Sequence, residues 1–291
     1  MHVEHRRTAP HSPARDAMRR TASSAPADVV LDLTLTRERC APVLLGFFLA
    51  VAVQYGSLAY LNKFQKRFVA SLDAKSRADL GVRCASSVWG LVCGLWAARL
   101  IPMALERSTD AASRIYASPP LESCETLVRL AVGYFMWDAL VSYKYYDAQY
   151  FWHAVVSCFV FGVPQFMPRG FLHLYAAVFL LWEITLPFLS ARYILIKAGM
   201  GSTKLFQVIN FTGFALWIFV RFVVGLPLMY LYFTDAYAMF ATGRASPKWV
   251  YMWYVTAAVI LQIMNLIWLS AIVRALFPKK RDKKDVDGKN E

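Results

Sequence analysis

Apolar runs of about 20 residues alternate along the chain with short polar connections. A helix rising 1.5 Å per residue needs that length to cross a hydrocarbon core of about 30 Å. The first run is Ala41 to Tyr60, and a basic linker with Lys63, Lys66, Arg67, Lys75 and Arg77 follows it. The second is Val82 to about Ala104, and the connection after it carries Glu106, Arg107, Asp110, Arg114, Glu122 and Glu125. Within that connection the Ser118-Pro119-Pro120 step marks irregular backbone. The third run, about Thr126 to Tyr143, holds Asp138 near its middle; the fourth, about Ala148 to Met167, holds His153 and is broken by Pro164. The fifth extends from Phe171 to about Leu189 around Glu183, the sixth from about Leu205 to Phe233 around Arg221, and the seventh is Trp249 to Val273. The pattern predicts an all-α polytopic membrane protein with about seven transmembrane helices, or six if the fourth is re-entrant.

Composition agrees and narrows the function classes. Of 291 residues 58% are hydrophobic and 18% charged, and mean hydropathy is +0.40. A soluble domain carries about 25% charged residues, so a soluble enzyme is excluded as the default. The net charge of +13 is spread over the first 39 residues, the connections and the tail rather than gathered on one folded basic domain, which argues against nucleic acid as a partner. These basics read instead as orientation signals and headgroup contacts. Residues 1–39 predict a disordered basic tail. They lack the apolar stretch of a signal peptide, and Glu4, Asp16, Asp28, Asp32 and several prolines argue against a mitochondrial presequence. Residues 40–62 are the first transmembrane helix, and 276–291 form a basic tail whose lysines, from Lys279 to Lys284, anchor the end of the last helix to anionic headgroups. Counting Lys and Arg in the short connections places the N-terminus in the lumen and the C-terminus in the cytosol. The cysteines, Cys40, Cys84, Cys93, Cys124 and Cys158, contain no C-x-x-C pair, so neither a disulfide framework nor a zinc site is expected.

Ionisable residues at bilayer depth cost about 2.5–3.5 kcal/mol on insertion scales and usually face a protein interior or a cavity. Asp138 is the first candidate, with Tyr134 one turn earlier able to offer a hydroxyl; the plain alternative is that Asp138 pins helices together by pairing with Arg221 or Arg129. Glu183 precedes Pro187 by four residues, so its carbonyl loses a helical donor just where the carboxylate sits, and Thr185 can help resatisfy the backbone. A structural kink with the carboxylate paired to Arg192 or Arg221 is the alternative there. His153 is a candidate base or nucleophile with Asp138 or Glu183 as orienting carboxylate, set against an interfacial packing role. No metal is expected at His153, because His173 is 20 residues away and no cysteine falls at ligand spacing.

Together these motifs resemble the TLC family, which includes translocating-chain-associated membrane proteins, ceramide synthases and a neuronal ceroid protein of the endoplasmic reticulum. Arg83-Cys84-Ala85-Ser86-Ser87 is similar to the opening of that domain, and Gly133-Tyr134-Phe135 with Asp138 to its G-Y-F-x-x-D step. The run from Glu183 through Pro187-Phe188 to Arg192 is similar to its E-x-S/T-x-P-F-x-x-x-R step, and Phe219-Val220-Arg221 to the next span. The resemblance covers about residues 70–275 and is closer to the TLC-domain-containing branch than to the ceramide synthases. Trp152-His153 stands where the family commonly has adjacent histidines, Trp89 where relatives often have histidine, and the acidic run of acyl-CoA dependent synthesis is absent upstream of Glu183.

The resemblance implies one peripheral helix and a six-helix TLC barrel around a lipid-accessible cavity, residence in the endoplasmic reticulum membrane, and a role in sphingolipid or phospholipid homeostasis. Membrane lipids are then the expected partners, a homo-oligomer is left open, and Tyr134, Thr185, Arg192 and Arg221 are expected to bind lipid or pair helices. No cofactor is expected. The enzyme alternative is a ceramide synthase-like acyltransferase using His153, with acyl-CoA as co-substrate. A seven-helix receptor is disfavoured by the motif order, and no inverted internal repeat points to a transporter.

Overall fold

The computed structural model describes residues 31–167 and 170–276; the segment before residue 31 and the tail after 276 lie outside the described residues, as do the disorder and headgroup-anchoring roles expected for them. Helix α1 (Arg37–Phe64) begins inside the stretch expected as tail, because Thr36 caps it by accepting the Arg39 N–H. The short α2 (Lys66–Ser71) occupies the basic linker, and Asp73 caps α3 (Ala74–Glu106) by accepting the Ser76 N–H. Asp110 and Ser113 form a reciprocal capping box on α4 (Ala111–Ile115). Helices α5 (Glu122–Tyr145) and α6 (Ala148–Gly162) follow, and α6 tightens into a 3-10 turn over Val163–Phe166, where the sequence places Pro164.

The fifth apolar run is α7 (His173–Leu181), a 3-10 turn (Trp182–Thr185) and α8 (Leu186–Lys197) in continuous succession. The sixth is α9 (Lys204–Ile218), a π segment (Phe219–Val224) and α10 (Gly225–Ala241), and the last is α11 (Lys248–Leu276). Pro227 cannot donate to the carbonyl four residues back, and the preceding turn widens into the π form. Strand β1 (Tyr116–Ala117) pairs antiparallel with β2 (Gly170–Phe171), tying the connection before α5 to the entry of α7. The strand pair is followed by Leu172 in the left-handed region at φ 57°, held there by burial and by its N–H bond to the Ile115 carbonyl.

Among the described residues five helical stretches are long and apolar enough to cross a membrane: Arg37–Phe64, Ala74–Glu106, His173–Lys197, Lys204–Ala241 and Lys248–Arg274. The remaining two apolar runs fall on α5, which carries Arg129 and Asp138, and on α6, which has 15 residues. The fifth and sixth runs extend beyond the expected Leu189 and Phe233. At 38 residues Lys204–Ala241 is about 57 Å long, so one end projects past the hydrocarbon.

Neighbour contacts pass from α3 to α5, α6, α11, the α9–α10 unit and the α7–α8 unit, which returns to α3; α1 lies outside this ring against α3 and α5. Large apolar side chains such as Leu44, Phe48, Leu91, Leu95, Phe211 and Ile263 are exposed on the outer surface, as a chain solvated by lipid requires. Two glycine contacts set the helix spacing. Gly133 of α5 meets the Val43 carbonyl of α1, with Gly46 against Leu130 in return, and Gly90 and Gly94 of α3 admit the 3-10 turn that carries Glu183.

Candidate functional site

Glu183 is buried, and its carbonyl is not left free by Pro187: the 3-10 geometry lets the Leu186 N–H bond to it. Thr185, also buried, donates its hydroxyl to the Trp182 carbonyl at 2.9 Å rather than to the Glu183 carbonyl that Pro187 leaves without a helical donor. The carboxylate of Glu183 therefore projects from a tightened turn that Gly90 allows to approach α3 closely. Beside it stands Trp89, whose ring stacks on Tyr134 with centroids 4.6 Å apart and planes 13° from parallel.

Tyr134 does not serve Asp138. Its hydroxyl pairs with the Ser86 hydroxyl across the α3–α5 contact at 3.2 Å. Asp138 accepts instead from Ser142 on its own helix at 3.4 Å, and its charge lies within electrostatic reach of Glu183. The pairing of Asp138 with Arg221 or Arg129 is not formed: Arg129 bonds Gln165 and Glu125, and Arg221 bonds Asn265.

Arg221 occupies the π segment. It is buried, and its Nη1 donates to the Asn265 side-chain oxygen at 2.6 Å. The guanidinium carbon lies 5.1 Å from the Trp182 ring, 5.4 Å from Trp217 and 5.6 Å from Trp268, so three rings surround one cation. Its Nε has no hydrogen-bond partner among the described residues. Its charge also acts on Glu183, but neither Arg221 nor the two carboxylates joins an ion pair within 4.0 Å among those residues. Buried Arg221 and Glu183 thus lie within electrostatic reach without close pairing, and half-buried Asp138 reaches Glu183 in turn.

His153 lies at the edge of this cluster. Its ring meets Trp268 edge-on at 5.2 Å and Phe135 at 6.2 Å, and its buried Nδ1 has no hydrogen-bond partner among the described residues. Neither Asp138 nor Glu183 holds that nitrogen, so the histidine–carboxylate pairing expected of a general base is not assembled. Arg192 lies outside the cluster altogether. It is nine residues, about 13 Å of helix rise, beyond Glu183, and its Nε donates to Asn210 on α9 at 2.8 Å.

Several participants escaped sequence reasoning. Asn265 was legible, with Gln262, as one of two amide side chains in a mostly apolar run, and the tryptophans gave no signal because an apolar span uses them as packing. The structure also shows a separate ion pair between buried Asp235 and half-buried Arg114: Asp235 accepts from Arg114 Nε at 2.6 Å and Nη2 at 2.7 Å, and from the Tyr175 hydroxyl. That pair holds the short α4 against α10 and raises the Arg114 pKa further above its ordinary range. An apolar cavity between α6, α7, α10 and α11, lined by Val160, Phe179, Tyr232, Tyr254, Ala257 and Leu261, adjoins the Trp182 contact through Phe179.

Fold and site define a multi-pass α-helical membrane protein with a buried polar cluster inside a helix ring. The chain belongs to the TLC domain family, which residues 79–274 match. It is similar to an uncharacterised TLC domain-containing protein of Schizosaccharomyces pombe, 30% identical over 153 residues, or 50% of this chain and 50% of that one. A second relative, an uncharacterised TLC domain-containing protein of Saccharomyces cerevisiae, is 26% identical over 166 residues, or 55% of this chain and 52% of that one. The chain thus spans about half the length of the curated relatives it matches.

Proposed function

We propose that this chain binds a membrane lipid with the lipid's polar group against Asp138, Glu183 and Arg221 and thereby acts on the sphingolipid or phospholipid composition of the endoplasmic reticulum membrane. One observation carries the reading: Arg221 is buried with its Nε unpartnered and no carboxylate within 4.0 Å among the described residues. Desolvating a guanidinium without a counter-charge costs several kcal/mol, of which Asn265 and the three rings recover only a part, and an oxygen-bearing group delivered from the bilayer offsets the rest. Seven crossings, with the N-terminus lumenal and the C-terminus cytosolic, complete the proposal.

His153 takes a packing role in this reading, because rings rather than carboxylates surround it. The test is lipid mass spectrometry on two samples: the purified full chain, and cells lacking it complemented with wild type, Arg221→Gln or His153→Ala at matched expression. Copurifying lipid that Arg221→Gln loses and His153→Ala keeps, with the cellular lipid change following the same order, supports binding. A histidine variant that alone fails to restore the lipid class moves the site to acyl-CoA dependent acyl transfer. Lipid content indifferent to Arg221 refutes the proposal.

A further inference from the structure

A cleft of about 220 Å³ opens between α8, α9 and α11, lined by Phe188, Leu189, Gly213, Trp217, Ala271 and Ile272, with Arg192 and Asn210 as its polar members. Asn210 takes the Arg192 Nε, and the guanidinium carbon lies 5.9 Å from the Phe206 ring centroid, so both hold the group in place. Among the described residues the two terminal nitrogens of Arg192 have neither a hydrogen-bond nor an ion-pair partner, so four N–H groups remain for a ligand. The charge around this cleft is one-sided. Residues 186–218 and 248–276 contain no Asp or Glu, while Lys197, Lys204 and Arg274 stand at the same end of these helices as Arg192. Lys197 is within electrostatic reach of Asp73, the N-cap of α3, and Arg274 bonds Ser270; Arg192 is the cation held at the cleft itself.

Arg192 lies about 7.5 Å of helix rise short of Lys197, the end of α8. That depth suits a phosphate with hydrocarbon below it, since a guanidinium binds a phosphate bidentately and basic recesses between transmembrane helices bind acidic headgroups. We infer that this cleft is a binding site for an anionic glycerophospholipid, with its phosphate on the free end of Arg192 and one acyl chain along Phe188, Gly213 and Ala271. The site is distinct from the Arg221 cluster. Trp217 separates them, one wall facing the cleft and its ring 5.4 Å from the Arg221 guanidinium.

The experiment uses the purified full chain in nanodiscs and measures retained phosphatidylserine against phosphatidylcholine by native mass spectrometry. Wild type is expected to retain phosphatidylserine in preference. Arg192→Gln is expected to weaken that preference about fivefold, the equivalent of the ~1 kcal/mol that a basic residue gains at an acidic membrane surface. Ala271→Trp, on the exposed side of α11, is expected to reduce retention of both lipids by filling the cleft while circular dichroism stays that of wild type. Arg192→Lys, which keeps the charge and loses the fork, serves if the glutamine variant does not fold, and it is expected to lie between the two. Equal retention of both lipids by wild type, or an unchanged preference in the Arg192 variants, overturns the site. Soluble glycerol phosphate displacing the lipid as well as phosphatidylserine does overturns the acyl-chain half of it. Because Arg221→Gln is read separately, failure here leaves the barrel proposal standing, and the reverse also holds.

Discussion

Replacing Gly90 with alanine tests whether the carboxylate of Glu183 is placed by a glycine contact. A Cβ at Gly90 would fall inside van der Waals range of the Glu183 carbonyl oxygen and 2.8 Å from the Leu186 Cβ, where ordinary contacts begin at 3.4 Å. The 3-10 turn must then retreat from α3 by at least about 0.6 Å, and the atoms that resist are backbone and Cβ rather than the end of a flexible side chain. Overpacking of this kind costs about 1–3 kcal/mol. Gly56→Ala is the matched control, because a Cβ there meets nothing within 4 Å and both sites are in long helices where alanine is favoured by about 1 kcal/mol. Relative to that control, Gly90→Ala is expected to lower Tm by about 2–4 °C per kcal/mol. Thermal unfolding of both variants in the same detergent, followed by circular dichroism, measures it. Retreat of the turn also draws Glu183 away from Trp89, so lipid copurifying with the chain is expected to fall. A Gly90→Ala protein as stable as Gly56→Ala, with lipid content intact, would refute the argument that this contact positions the site.

The remaining expectations concern other parts of the molecule. Gly133→Val places side-chain atoms against the Val43 carbonyl and is expected to detach α1 from α5, which a disulfide cross-link engineered between these helices would register as lost yield. Asp235→Asn leaves Arg114 facing a neutral group and is expected to cost about 3 kcal/mol, read as a lowered melting temperature that Arg114→Met on the same background partly restores. Asn265→Leu removes the one hydrogen bond that Arg221 makes among the described residues; it is expected to destabilise the chain and to lower bound lipid, while Asn265→Gln does so less. Asp110 has its pKa lowered first by the Ser113 N–H and then by the Ser113 hydroxyl. Its contribution to the α4 cap is therefore complete above its unfolded pKa of about 3.9 and is lost as pH falls through the lower folded value, so proteolysis around residues 107–117 is expected to accelerate only in acid and to become insensitive to acid in Asp110→Ala.

The sequence by itself determined the all-α, membrane-crossing class, because insertion into a hydrocarbon layer depends on the local length and apolarity of each run. The helix starts came from the structure: Thr36, Asp73, Asp110 and Thr203 each place a side-chain oxygen against an N–H three residues on, and these caps begin α1 and α3 ahead of the apolar runs that predicted them. Motif order carried the family reading, and Pro164 and Pro187 announced departures from regular helix, since a missing donor is visible in one residue's chemistry. Only the tertiary structure decided which charges meet. Whether Asp138 finds Arg221 or Ser142, and whether Arg221 finds a carboxylate or Asn265 and three tryptophans, depends on the rotation of each helix about its axis and on small residues at the crossings. Such rotations are set by contacts between segments far apart in the chain: Gly90 against Glu183, Gly133 against Val43, Asp235 against Arg114. The π turn that carries Arg221 belongs to the same class, for Pro227 forbids one hydrogen bond but does not by itself choose how the turn before it relaxes.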